Sequence, residues 1–233
     1  MQGCKGEGVQ GCRGNGVGVW WPVGLARRLL LGVSALVAGA LTLGCQIVAT
    51  PAREAEAGFW FEDVSFASPR LGGELTAADL DRVRDVAADE VQAAFQGMRI
   101  RITENRKARY HVRVVQQVRD GRMLKAIEVA GQSRGMSGFG GSGVVNFYLL
   151  ASGAVAYAPA DLERSAIVDA IGRGVGRSAV HELTHQFLPR ATIDRSRNRA
   201  SYEFYSAGRP EQFFGTLGWD VAGPLLRERF AQP

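Results

Sequence analysis

Histidine and cysteine are the scarce residues of this 233-residue chain, three of each. The cysteines are Cys4, Cys12 and Cys45, so no disulfide can form within the chain that follows residue 45, and a disulfide-built scaffold is excluded. Charge of one sign is also missing from most of the chain. The net +5 is concentrated at the front, where residues 1–44 carry Lys5, Arg13, Arg27 and Arg28 against Glu7. The remainder holds 24 basic and 22 acidic side chains, with no basic stripe interleaved with aromatics. That argues against nucleic acid as a partner. A 46% hydrophobic and 22% charged composition is ordinary for a folded domain and argues against disorder as the main state.

Charges vanish altogether from Leu29 to Gly44, a run of sixteen residues preceded by Arg27 and Arg28 and followed by Cys45. A positive start, an apolar stretch and small residues at its end describe a secretory signal; a spanning helix needs about twenty apolar residues. The ending "TLGC" resembles a bacterial lipobox, which implies that Cys45 carries a lipid anchor, placing an exported chain at a membrane. The expected organisation is a leader over 1–44, a small and polar tether over 45–57, and one domain over 58–233.

Within that domain "FWFEDVSF" alternates like a strand. Thr76 and Asp79 then form an S/T-x-x-D start, followed by Leu80, Val83, Ala87, Val91 and Ala94 at helical spacing up to Gly97. "RIRIT" at 99–103 and "RYHVRVVQQV" at 109–118 read as strands, the second with Tyr110, Val112 and Val114 on one face and His111 on the other. "RDGR" predicts a turn into a strand near 123–130. Gly138, Gly140 and Gly143 spell G-x-G-x-x-G, but "VVNFYLL" after them looks like a strand where a dinucleotide loop needs a helix, so the glycines read as a flexible or bulged rim. Two helical stretches follow, near 161–172 and 176–187, with glycines between them that permit close packing or mark a break. Strands followed by helices predict one α+β domain, a mixed sheet backed by helices.

Two of the three histidines, His181 and His185, lie in "HELTH". On a helix, positions i and i+4 share a face, so both imidazoles can reach one metal ion, and Glu182 stands about 100° round the same turn. Val180, Leu183 and Phe187 form the opposite, core face. His111 reads as an ordinary surface or core histidine.

HExxH on a helix after a mixed sheet resembles the zincin metallopeptidases. The resemblance covers 181–185 and, in element order, about 59–205. It implies a zincin-like fold, Zn2+ as cofactor, His181 and His185 as ligands, Glu182 as general base on a zinc-bound water, and a peptide or protein substrate. The metzincin branch would have glycine at 188 and histidine at 191, where Leu188 and Ala191 stand, and no methionine follows Met136. A catalytic site needs a third protein ligand, for which two acids remain: Glu203 and Asp194. A glutamate at this separation resembles the gluzincin branch, so Glu203 is the expected ligand and Asp194 the alternative. Tyr202 or Tyr205 could donate to an oxyanion. Two other readings stand beside the peptidase: a non-catalytic zincin-like binding lipoprotein, and a closed structural zinc site using both acids.

Overall fold

A computed structural model describes residues 54–120, 127–128, 130–136, 140–188 and 193–231. These fall in the second of two units into which the chain divides, Ala49–Pro233. The expected leader, Cys45, Gly138 and Pro189 lie outside the described residues.

The elements run β1 (Ala55–Phe61), β2 (Ala67–Ser68), β3 (Gly73–Glu74), α1 (Ala77–Ala94), β4 (Ile100–Thr103), β5 (Tyr110–Val115), β6 (Arg119–Asp120), β7 (Ile127–Glu128), β8 (Gly131–Met136), β9 (Gly140–Asn146), α2 (Phe147–Tyr157), α3 (Arg164–Phe187), α4 (Glu211–Phe214) and α5 (Ala222–Arg229). The principal sheet has the order β4-β1-β5-β9-β8. Its first four members are parallel, and β8 runs antiparallel to β9 along one edge. The domain is therefore α+β with a mixed sheet and helices, as the element pattern predicts.

Local signals carry the early part of the fold. Asp79 N–H donates to Thr76 Oγ1 at 3.2 Å while Thr76 N–H donates to Asp79 Oδ2 at 2.8 Å, a reciprocal cap that starts α1. Val83, Ala87 and Val91 then repeat at helical spacing and are buried. Tyr110, Val112 and Val114 are buried from β5, and Val180, Leu183 and Phe187 from α3. Phe187 joins the layers, its ring 4.8 Å from Tyr110, 5.6 Å from Phe95 and 5.2 Å from Phe230.

Four expectations are corrected. β1 begins at Ala55, three residues inside the segment expected as a tether, because Ala55–Gly58 pair with Ile100–Thr103 of β4. Where it is described, the glycine-rich rim is regular structure: "GQSRGM" is β8, and Gly140 to Asn146 is β9. A Cβ at Gly143 would lie 2.8 Å from Val112 Cγ2, so the glycine lets β9 pack closely in the sheet. "VVNFYLL" divides at Asn146, whose side chain accepts from Leu149 N–H at 3.0 Å and turns the strand directly into α2. Finally, the two expected helical stretches are one helix of 24 residues, α3, and of the two readings of its glycines the close packing holds and the break does not. Cβ atoms at Gly172 and Gly176 would meet Val83 O at 2.9 Å and Ala87 O at 2.6 Å, so these positions let α3 lie against α1, and packing overrides the low helix propensity of glycine.

Candidate metal centre

The unbroken α3 places His181 and His185 one turn apart, on the face away from Val180, Leu183 and Phe187. Their rings stand nearly perpendicular with centroids 4.8 Å apart, and the two Nε2 atoms are separated by 3.1 Å. Asp194 closes the triangle: Oδ1 lies 3.1 Å from His181 Nε2 and Oδ2 lies 3.5 Å from His185 Nε2. These three residues could hold a metal ion, one donor atom from each falling within 4.8 Å of the others.

Donor chemistry and spacing both suit a small tetrahedral ion. With ligand distances near 2.0–2.1 Å, the edge of a tetrahedral zinc site is about 3.3 Å. The two Nε2 atoms are 3.1 Å apart and the nearer Asp194 oxygen to each lies at 3.1 and 3.5 Å, values on either side of that edge. The outer partner fits as well: His181 Nδ1–H donates to the Tyr202 carbonyl at 2.8 Å, which leaves the Nε2 lone pair facing Asp194. Tyr202 is itself braced. Its N–H donates to Gly218 O at 3.1 Å, and its ring packs 5.0 Å from Trp219, whose Nε1–H donates to Ala94 O at 2.9 Å.

Asp194 reaches the histidines from a short irregular segment. Its φ of 66° is left-handed, a conformation that aspartate tolerates better than most residues and that costs backbone energy of order 1 kcal/mol or more. Buried Ile193 anchors one side, and on the other Ser196 Oγ donates to Asp220 Oδ2 at 2.7 Å. Burial opposes a charge on His181, but the Asp194 hydrogen bond, the Glu182 charge and the Tyr202 carbonyl outweigh it, so the His181 pKa is raised above its ordinary 6.5. Metal-free, the cluster holds a proton readily; loaded, a cation replaces it.

Glu203 is not brought to the histidines, which corrects the expected third ligand. Its buried carboxylate accepts from Asp220 N–H at 2.7 Å and Val221 N–H at 2.9 Å. Those amides lead into α5, whose own N-cap residue provides no side-chain cap. A negative group there answers otherwise unpaired donors and the helix dipole. The closed site built from both acids is corrected for the same reason.

Glu182 stands beside the three donors and outside their group, lining a cleft of about 860 Å³. Its backbone carbonyl accepts from Ser133 Oγ at 2.8 Å. Gly131, Gln132 and Ser133 of edge strand β8 line the cleft, as do Leu149, Gly153 and Tyr157 of α2, Phe204–Gly208 and Phe213. Tyr202 and Tyr205 both line it, Tyr205 being 70% exposed. His111 stays apart, its ring 5.6 Å from Trp60 and its backbone paired with Gln186. The Tyr202 carbonyl and Ser133 were not visible as site groups in the sequence: one is a backbone atom, the other an unremarkable serine in a glycine-rich stretch.

Among the described residues, no helix is long and apolar enough to cross a membrane. Comparison with known proteins returns no match, whether to a family model, to a curated protein or to a solved structure.

Proposed function

We propose that this chain is a zinc-dependent metallopeptidase of zincin-like architecture, exported and held at a membrane through lipidated Cys45. The observation that carries the catalytic part is the convergence of His181 Nε2, His185 Nε2 and the Asp194 carboxylate, whose Oδ1 lies 3.1 Å from the first nitrogen and whose Oδ2 lies 3.5 Å from the second, in the cleft that Glu182 lines. The export part rests on the apolar run 29–44 and its ending at Cys45.

His181, His185 and Asp194 would hold the zinc, and three protein ligands leave a coordination position open, as catalytic sites require. When bound, zinc supplies Lewis acidity and makes a water nucleophile usable near neutral pH. The remaining work belongs to the chain. Glu182 takes the proton of the attacking water and returns it to the leaving amine, a general base and acid in turn. The outer edge of β8 offers backbone donors and acceptors to a substrate lying extended along it. The apolar wall from α2 and Phe213 receives a substrate side chain. The alternative is a non-catalytic zincin-like binding lipoprotein; Asp194 as a possible third donor favours the catalytic reading.

The test is a Glu182→Gln variant assayed on a mixed peptide library. Zinc content should stay at about one per chain, as expected for a catalytic three-ligand site. Hydrolysis should fall by about 10²-fold or more, the scale of losing a positioned general base. Unchanged hydrolysis would sink the assignment of Glu182, and no hydrolysis by the wild type would sink the peptidase.

A further inference from the structure

The side chain of Glu182 rests against the backbone of Gly131, the first residue of β8. A Cβ built at Gly131 would lie 2.5 Å from Glu182 Oε1, 2.9 Å from its Cγ and 3.0 Å from its Cδ. Real Cβ atoms do not approach that closely, so either Glu182 or the strand would have to move.

Neither backbone is free to yield. Gly131 is paired with Val145 within the sheet, and two residues on, Ser133 Oγ donates to Glu182 O at 2.8 Å. One turn along α3, His111 N–H donates to Gln186 Oε1 at 3.0 Å and Gln186 Nε2 donates to His111 O at 3.1 Å. The helix is thereby pinned to β5 and β8 at Gln186 and at Glu182. An added methyl at 131 would therefore act on the Glu182 side chain, whose Oε1, Cγ and Cδ are its three nearest atoms.

We propose that Gly131 is a positioning residue for Glu182: its missing side chain leaves the space in which the carboxylate sits beside the His181, His185 and Asp194 cluster. The proposal rests on the hydrolase reading for its catalytic consequence and on geometry alone for the contact. The three atoms nearest a Cβ at Gly131 all belong to Glu182, so metal binding and base placement become separable.

The experiment combines Gly131→Ala with Glu182→Ala. In metal-free protein, Gly131→Ala should lower Tm by about 5 °C, the size of a one-methyl overpacking in a domain of this length. In the Glu182→Ala background the same change should cost nothing, since the clashing atoms are gone. The zinc-loaded Gly131→Ala variant should keep about one zinc per chain. Its kcat should fall on the order of 100-fold, the cost of misplacing a reacting group by about 1 Å, with KM little changed. Equal Tm losses in the two backgrounds, or wild-type kcat in Gly131→Ala, would overturn the proposal. If Gly131→Ala fails to fold, folding of the double variant supports it and failure of both refutes it. A wild type that hydrolyses nothing removes the peptidase reading, while the two melting comparisons still decide the contact.

Discussion

Replacing Glu203 by glutamine should destabilise the protein and leave its metal chemistry almost intact. The carboxylate is 1% exposed and accepts from two backbone amides, Asp220 N–H at 2.7 Å and Val221 N–H at 2.9 Å. Glutamine keeps one acceptor and turns an NH2 group toward the other amide, leaving a buried donor unanswered. Hydrogen bonds to a charged acceptor contribute about 1.5–3 kcal/mol each, so losing one and weakening the other costs about 2–3 kcal/mol. At about 2–4 °C per kcal/mol for a domain of this size, Tm of the metal-free protein falls by about 5–10 °C. Tyr202, whose carbonyl holds His181, is the adjacent residue, so some effect will reach the cluster. Zinc affinity should still change by no more than about threefold, well short of the 10- to 100-fold loss typical when a ligand's supporting partner is removed. Differential scanning calorimetry of the metal-free chain, paired with competitive zinc titration, measures both quantities. A Glu203→Gln protein that melts like wild type but releases its zinc would refute the reasoning and return Glu203 to the role of ligand.

The raised His181 pKa gives metal-free and zinc-loaded protein opposite pH trends. The metal-free protein holds the stabilisation from protonated His181 in full below its ordinary 6.5 and loses it as pH rises through the folded value. Zinc displaces that proton, so the zinc-loaded protein gains Tm across the same window; parallel trends would contradict the assignment of His181. Gly176→Ala should lower Tm even though alanine is the better helix former by about 1 kcal/mol. Its Cβ would meet Ala87 O at 2.6 Å and Glu90 Cβ at 2.8 Å, an overpacking of about 1–3 kcal/mol. A raised Tm would show that α1 and α3 are not in close contact there.

What could be read from the sequence is what local chemistry decides. Thr76 and Asp79 announce the start of α1, alternation marks β5, and the i, i+4 pair puts His181 and His185 on one face with Phe187 on the other. Where neighbours distant in the chain decide, the reading fails. Glycines at 172, 174 and 176 leave close packing and a helix break both open until α1 and Phe213 are seen to need their space. Asn146 reads as mid-strand until its side chain accepts from Leu149 N–H. Residue type alone does not separate the two candidate third donors, because Asp194 and Glu203 have the same chemistry. Two amides before α5 engage Glu203, and a left-handed residue turns Asp194 toward the histidines. Neither fact has a signature in residue spacing, and Gly131 matters only because Glu182 lies against it.

Zinc titration of the wild type and of Asp194→Ala, side by side at neutral pH, tests the central claim most directly. About one zinc per chain is expected for the wild type, and a loss in affinity of about 10²-fold or more when one of the three ligands is removed, with the metal-free fold retained. A wild type that binds no zinc, or an Asp194→Ala protein that binds it as tightly as wild type, would contradict it.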